Sequence, residues 1–104
     1  ENIADLGGVN ISYDALQMYL KDHGNPGLIS GYTQDQRFFL SWATVWRTLQ
    51  KEAALINQIK TNEHSPGLYR AFGPLVNTDA FYKAFEVKEG DKHYKKPEDR
   101  IRIW

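Results

Sequence analysis

Residues 33–49 carry the sequence TQDQRFFLSWATVWRTL, and this stretch decides the fold. Thr33 and Gln36 have the spacing of a capping box, in which each side chain bonds the other residue's backbone N–H at the start of a helix. Apolar side chains then recur at steps of three and four, as they do on one face of a helix. They are Phe38, Phe39, Trp42, Val45, Trp46 and Leu49. The pattern therefore predicts a central helix with a wide buried face.

Helical patterns are present on both sides of this stretch. Residues 1–23 place apolar side chains at helical spacing, and Gly24 predicts the end of that helix. A shorter helix is predicted over residues 52–62, either separate or continuing from the central helix with a bend near residue 50. Its expected inward side chains are Leu55, Ile56 and Ile59.

The remaining chain contains signals for two more short helices. A Ser-Pro pair at 65–66 is typical of a helix start, and Gly73-Pro74 predicts the end of that segment. The side chains expected to pack from it onto the core are Leu68, Tyr69 and Phe72. Asn77 has the place of an N-cap for a last helix. The predicted buried side of that helix is Ala80, Phe81, Ala84 and Phe85.

The tail ends in a polar and apolar alternation at residues 100–103, which predicts a short strand or an extended segment. No internal repeat, low-complexity tract or linker divides residues 1–104. The predicted fold class is therefore mainly α, in a single unit.

Composition excludes several classes of protein. The chain has 104 residues and no cysteine, with 13 basic and 13 acidic side chains. The absence of cysteine excludes a disulfide scaffold, a thiolate zinc site and a cysteine nucleophile. A net charge of zero gives no electrostatic attraction to nucleic acid, so no nucleic-acid partner is expected.

Two pairs of side chains have spacings that suit chemistry. Glu1 and Asp5 lie four residues apart, so on a helix both carboxylates share one face and can serve a metal site. Acids in a first helical turn also favour the helix dipole, and spacing alone favours that interpretation. His64 and Arg70 can direct two donors at one oxygen, but spacing alone favours a surface histidine and a solvated arginine. The Trp42/Trp46 pair is predicted to lie in the core, and His23 and His93 receive no role.

Four motifs, in order along the chain, resemble the neprilysin and endothelin-converting-enzyme family of zinc endopeptidases. Residues 1–8, ENIADLGG, resemble its ExxAD helix, and His64-Ser65-Pro66 with Arg70 resembles its HSPxxxR element. Residues 77–85 resemble its NxxxFxxAF helix, and residues 102–104 resemble its C-terminal RxW. The resemblance spans the whole chain and implies the helical C-terminal portion of a zincin-type catalytic domain.

The resemblance also implies a role for each matching residue. It makes Glu1 the third zinc ligand and Asp5 an acid that holds a zinc-binding histidine, also described as a proton donor. It makes His64 a stabiliser of the oxyanion and Arg70 a holder of a substrate backbone carbonyl. The family's HExxH helix, which supplies two ligands and the general base, is not in this sequence. We therefore expect residues 1–104 alone to be inactive and to bind zinc weakly or not at all.

The sequence departs from the family at two places near these motifs. Asn62-Glu63 stands where the family often has Asp before its HSP element, and Phe72 stands where bacterial relatives often have Asn. The missing cysteines resemble a bacterial member, because mammalian members are disulfide-bonded. The parent's location is not readable from these residues, although the cell envelope is favoured.

The expected partners are a peptide substrate and the upstream part of the same catalytic domain. The first residue is not Met, so the sequence looks like a piece of a longer protein. Such a piece is expected to expose apolar surface and to self-associate. The alternative function is a non-catalytic helical binding module on the same scaffold.

Overall fold

A computed structural model describes residues 1–103, and these residues fold into a helical unit without a β-strand. The mainly α fold class predicted from the sequence is confirmed. Five α-helices follow one another along the chain. They are α1 (Asn2–His23), α2 (Gln34–Val45), α3 (Glu52–Thr61), α4 (Gly67–Leu75) and α5 (Asp79–Phe85). A short 3₁₀ turn at Pro97–Asp99 follows them, and no helix within residues 1–103 is long and apolar enough to cross a membrane.

Helix α1 has the bounds that its apolar pattern predicted. Leu6 and Val9 are buried, and the helix ends at Gly24, where φ is +86°. Glycine enters this left-handed region without a steric penalty, and the Gly24 N–H closes the last turn on the Leu20 carbonyl. The local signals were therefore sufficient to predict this element.

Helix α2 begins as predicted but ends earlier. Thr33 and Gln36 form both hydrogen bonds of the capping box, at 3.0 and 3.1 Å. The prediction that Val45 and Leu49 belong to its buried face was wrong. The helix ends at Val45, so Leu49 lies outside it and is fully exposed, and Val45 itself is 67% exposed in the last turn.

The core lies where α1, α2 and α4 meet. Val9, Phe39 and Leu75 form its buried centre, since α1 packs on α4 while α2 packs on α4 and α5. Burying a Phe or Leu side chain contributes about 1.5–3 kcal/mol, so this cluster is a large share of the folding free energy. Partly buried side chains surround it, namely Tyr13, Phe38, Trp42, Ala80, Phe81, Ala84 and Phe85. The predicted buried side of α5 thus packs against the core.

Helix α3 is separate from α2 and contains no buried residue. The prediction that Ile56 and Ile59 face inward was wrong, because their side chains are 44% and 63% exposed. An apolar face at helical spacing is buried only where another element covers it. Within residues 1–103, nothing covers this face of α3.

Helix α4 passes through Gly73 and Pro74 instead of ending there. Pro74 lies in the last turn, so its missing N–H removes one hydrogen bond near a helix end, and its ring is buried in return. The expectation that Leu68 and Tyr69 pack on the core was wrong, because both are about two-thirds exposed. They lie in the first turn of α4, whereas the buried Leu75 is in its last turn.

The predicted N-cap role of Asn77 was wrong. Thr78 precedes α5, and Asn77 instead fastens the tail by accepting hydrogen bonds from the Ile101 backbone and the Lys95 ammonium. Of the two alternatives predicted for residues 100–103, the strand is absent, and Arg100 has the backbone angles of an extended segment. Trp104, the last residue of the RxW resemblance, lies outside the described residues.

Candidate functional site

The N-terminal end of α1 carries two acids that differ in exposure. Glu1 precedes the helix, and its carbonyl accepts a 2.9 Å hydrogen bond from the Asp5 backbone N–H. The Asp5 side chain is only 10% exposed, whereas the Glu1 side chain is 48% exposed. Asp5 is therefore held within the protein, while the Glu1 carboxylate remains open to a ligand from solvent.

Arg70 of α4 binds both acids, and Asp5 lies 65 positions before it in the sequence. Its Nε and Nη2 donate hydrogen bonds of 2.7 and 2.8 Å to the two carboxylate oxygens of Asp5. Its Nη2 also lies 3.8 Å from Glu1 Oε1. The hydrogen bond to Asp5 raises the pKa of Arg70, and this effect outweighs the opposing effect of burial. The bidentate geometry fixes the guanidinium plane as well as its charge.

Trp46 supports Arg70 from the other side. The guanidinium carbon lies 4.0 Å from the centroid of the Trp46 ring, which is a cation–π arrangement. Trp42 packs against the core as the sequence predicted, but Trp46 belongs to this site. The prediction missed this role because Trp46 and Arg70 lie on different helices, and no local pattern connects them.

His64 approaches the same acids from the loop before α4. Its Nε2 lies 3.2 Å from Glu1 Oε2, and its Nδ1 lies 2.9 Å from the Asn62 side-chain oxygen. The next residue, Ser65, accepts a 3.0 Å hydrogen bond from the Asn2 side chain. The loop is thereby tied to the N-terminus of α1, and sequence reasoning did not predict these contacts of Asn2, Asn62 and Ser65.

The structure brings together all four residues that the motifs singled out: Glu1, Asp5, His64 and Arg70. The four side chains comprise two negative carboxylates, one positive guanidinium and an imidazole that is charged only when it is protonated. Such a cluster has an excess of negative charge on its exposed side, where Glu1 lies. It is therefore suited to a cation and to substrate groups that accept hydrogen bonds.

The described residues supply only part of a metal centre. A catalytic zinc ion takes three protein ligands and keeps one open position. Glu1 fits as one ligand, since its carboxylate is accessible and of the right chemical type. No three His, Cys, Asp or Glu side chains within residues 1–103 are grouped closely enough to hold a metal ion. A zinc site built on Glu1 thus needs further ligands from elsewhere.

His23 and His93, to which sequence analysis gave no role, lie outside this cluster. Each stacks on one aromatic ring, His23 on Tyr19 and His93 on Phe72, with ring centroids about 4 Å apart. Phe72 is the second departure from the family pattern, and it contacts His93 instead of the four clustered residues.

The chain matches the family model "Peptidase family M13" over residues 1–101. It is 40% identical to human neprilysin over its whole length and 39% identical to neprilysin-2 of Caenorhabditis elegans. It also matches the cryo-EM structure of the zinc metalloprotease Zmp1 of Mycobacterium tuberculosis in its open state, with a TM-score of 0.92 and 42% identity over 99% of this chain. The match spans 14% of each neprilysin and 16% of the Zmp1 chain.

Proposed function

Because this chain belongs to peptidase family M13, we propose that it forms the C-terminal part of the catalytic domain of a zinc endopeptidase that hydrolyses oligopeptides. The observation that carries the proposal is the convergence of Glu1, Asp5, His64 and Arg70 from two segments that are far apart in the sequence. Structural pairing alone would satisfy Asp5 and Arg70, but it does not require an exposed Glu1 beside a histidine. Metal binding and peptide hydrolysis give both residues a purpose.

In this proposal Glu1 is the carboxylate ligand of zinc, and the enzyme's HExxH helix supplies the other ligands. When bound, zinc polarises the scissile carbonyl and makes its water a stronger nucleophile. Asp5 also accepts a hydrogen bond from a zinc-binding histidine, because each carboxylate oxygen retains a lone pair after pairing with Arg70. Asp5 would then connect the metal centre to the arginine.

His64 and Arg70 act on the substrate in this proposal. The Nε2 of His64 points to the same side as the Glu1 carboxylate, so it is placed to donate to the oxyanion that develops during hydrolysis. The hydrogen bonds from Arg70 to Asp5 use Nε and Nη2, which leaves the hydrogens of Nη1 for a substrate carbonyl. Trp46 and Asp5 hold the guanidinium before substrate arrives, so little conformational freedom is lost on binding.

The proposal is tested in the longer enzyme that contains residues 1–104. We expect Glu1→Ala to lose bound zinc and zinc-dependent peptide cleavage, while the matched variant Glu52→Ala retains both. Glu52 is also an acid in the first turn of a helix, but it lies on α3 and is exposed. Zinc content and cleavage of a fluorogenic peptide are the measurements. Retention of activity by Glu1→Ala would refute the assignment.

Residues 1–104 alone are proposed to be inactive and to bind zinc weakly or not at all. One carboxylate cannot supply the three protein ligands of a catalytic site. Titration calorimetry of zinc into the chain measures this directly. Tight one-to-one binding would contradict the proposal.

The proposed partner, besides a peptide, is the rest of the same catalytic domain. A mostly apolar cavity of about 560 Å³ opens between α2, α3 and α4, lined by side chains such as Leu49, Leu68 and Phe72. We propose that upstream segments of the enzyme cover it, because apolar surface of this kind is normally buried. Light scattering tests this: the isolated chain should self-associate, and a clean monomer that binds no dye for apolar surface would count against it. The extracytoplasmic location belongs to the same proposal, and fractionation of the source cells tests it.

A further inference from the structure

A second pocket, of about 330 Å³, lies beside the four clustered residues, and we name it the Gln50 pocket. The segment after α2 forms one wall, with Trp46, Thr48 and Gln50. The turn before α4 and the start of that helix form the other wall, which includes His64 and Arg70. The pocket is therefore continuous with the two side chains that act on substrate in the proposed function. Small-molecule sites span about 300–1,000 Å³, so this volume suits a single side chain.

The two walls of the pocket meet at Gly67, the first residue of α4. A β-carbon on Gly67 would lie 3.0 Å from the Trp46 carbonyl oxygen and 3.2 Å from the Thr48 hydroxyl oxygen. Both distances are too short for an ordinary side-chain contact. Glycine therefore lets the walls come together here, and the hydroxyl of Thr48 is held against the start of α4.

Gln58 of α3 joins the same two walls with its side chain. Its oxygen accepts a 3.0 Å hydrogen bond from the Gln50 amide nitrogen. Its own amide nitrogen donates to the His64 carbonyl at 3.4 Å. Gln58 thus uses both ends of its amide within the protein, and it fixes the position of Gln50 at the rim of the pocket.

The walls keep both donors and acceptors for a ligand. Gln50 gives one amide hydrogen to Gln58, so its second hydrogen and its oxygen remain for another partner. The Thr48 hydroxyl can both donate and accept. Ser65 accepts a hydrogen bond from Asn2 and keeps its own hydrogen to donate. A side chain that enters the pocket therefore meets donors and acceptors together.

Charge and polarity narrow the class of side chain that fits. An ammonium group would face the positive charge of Arg70. A carboxylate would be repelled by Glu1, which lies 3.8 Å from Arg70, and the charge of Arg70 is already paired with Asp5. An apolar side chain would displace water from Thr48 and Gln50 without replacing its hydrogen bonds. An amide is uncharged and offers both hydrogens and an oxygen, so it complements the walls.

We propose that the Gln50 pocket is a specificity subsite that takes an amide side chain, glutamine or asparagine, of the peptide substrate. This inference rests on the proposed function, which supplies the peptide. The side chain in the pocket does not react, so the pocket stabilises the bound substrate and the transition state equally. Its contribution should therefore appear in KM and not in kcat.

The test uses the longer zinc-loaded enzyme and a set of fluorogenic peptides. At each position on both sides of the cleaved bond, the residue is changed in turn to glutamine, leucine and glutamate. At one position we expect the glutamine peptide to have a kcat/KM about 10-fold above the other two, mainly through a lower KM. A factor of about ten is what one hydrogen bond to a partly exposed group contributes.

Two variants remove the polar atoms of the wall while keeping the size of the side chain. Gln50→Leu and Thr48→Val should each reduce the preference for glutamine at that position to within about threefold and leave all other positions unchanged. Both residues are exposed, so two independent variants are available if one does not fold. Thr61→Val is the matched control and should match wild type, because Thr61 is exposed at the end of α3 and does not line the pocket.

The outcomes separate this inference from the proposed function. The inference is overturned if no position prefers glutamine over both leucine and glutamate, or if Gln50→Leu and Thr48→Val both keep that preference. A loss of the same size for every peptide, or a loss of preference in Thr61→Val, would also overturn it. If the wild-type enzyme cleaves no peptide, or if His64→Ala matches wild type, the proposed function fails instead.

Discussion

Two regions of the molecule hold an arginine side chain with the same kinds of contact, but the ratio of acids to arginines is reversed between them. In the first, which we name the Arg70 cluster, one arginine lies between two acids. Its members are Glu1, Asp5, Trp46, His64 and Arg70. In the second, the Arg100 cluster, one acid lies between two arginines. Its members are Asp79, Tyr82, Tyr94, Arg100 and Arg102.

The local construction of the two clusters is the same. Arg100 stacks on Tyr82 with its guanidinium carbon 3.5 Å from the ring centroid, and it donates to Asp79 at 2.9 Å. Its side chain is 9% exposed, against 14% for Arg70. Although burial opposes the charge of Arg100, the hydrogen bond to Asp79 and nearby charges raise its pKa. Packing and hydrogen bonding therefore do not distinguish Arg70, which is proposed to bind substrate, from Arg100, which holds the tail.

The difference lies in the outer partner. Glu1 has a histidine beside it and an excess of negative charge around it, which leaves a place for a cation. Arg102 bonds the already paired Asp79 at 2.8 Å and completes a clamp between the tail and α5. In the proposed function the unbalanced, accessible carboxylate of Glu1 binds the metal, whereas the accessible second arginine, Arg102, completes a contact within the fold.

The largest expected effect separates the clusters by activity. In the longer enzyme, we expect Arg70→Met to lower kcat/KM by about 1000-fold, because it removes a preorganised donor to the substrate. Arg100→Met should stay within about threefold of wild type when assayed well below its melting temperature, since the clamp contacts no substrate in the proposed function. Peptide cleavage with melting curves of both variants checks this. Equal losses in the two folded variants would remove the functional distinction.

The second prediction concerns variants of the residue that two partners share in each cluster, Arg70 in the first and Asp79 in the second. Arg70→Met leaves two acids facing each other, one of them nearly buried, and should lower the free energy of unfolding of residues 1–104 by about 3 kcal/mol. Asp79→Asn leaves two arginines without a carboxylate but should cost only about 1 kcal/mol, because Asp79 is 41% exposed and its ion pairs are screened by solvent. Urea denaturation followed by circular dichroism measures both. If either variant were neutral, its cluster would not stabilise the fold.

The sequence predicted elements that depend on local interactions and missed those that depend on contacts between residues far apart in the chain. The capping box at Thr33 and the glycine end of α1 are local signals, so both were predicted correctly. The end of α2 was missed because periodicity continues through Leu49. The chain after α2 comes close to α4: a β-carbon on Gly67, the first residue of α4, would lie only 3.0 Å from the Trp46 carbonyl oxygen. Such a contact leaves no trace in local periodicity.

The candidate site was predicted by motif resemblance and not by physical pattern. Spacing alone favoured ordinary explanations for Glu1 and Asp5, because an arginine 65 positions away is invisible to a helical wheel. Trp46 and Asn62 were missed for the same reason. An asparagine two positions before a histidine is a common turn pattern, and its contact with the ring depends on where α3 ends.

The third prediction uses pH to examine the Arg100 cluster. The hydrogen bond from Arg100 holds the pKa of Asp79 below the ordinary value of 3.8, although burial opposes the shift. The hydrogen bond from Arg102 lowers this pKa further. A group with a lowered folded pKa adds stability above its unfolded pKa, and this stability is lost as pH falls through the folded value. Stability should therefore decline below about pH 4, and Asp79→Asn should remove less than about 1 kcal/mol of that decline because Asp79 is partly exposed. Urea denaturation across this range checks it, with the exposed Asp22→Asn as control; an unaltered pH dependence in Asp79→Asn would contradict it.

The smallest expected effect concerns the outer partners, and it decides what Glu1 is for. Arg102→Gln should lower the free energy of unfolding of residues 1–104 by less than about 1 kcal/mol, because its side chain is 66% exposed. Glu1→Gln should change it by less than about 0.5 kcal/mol or raise it slightly, since the variant removes repulsion between two neighbouring acids. Urea denaturation of the two variants side by side measures both values. A stability loss above about 1 kcal/mol in Glu1→Gln would make Glu1 a structural partner of Arg70. An unchanged free energy of unfolding in Glu1→Gln, together with loss of zinc from Glu1→Ala in the longer enzyme, would mean that this carboxylate binds the metal and does not stabilise the fold.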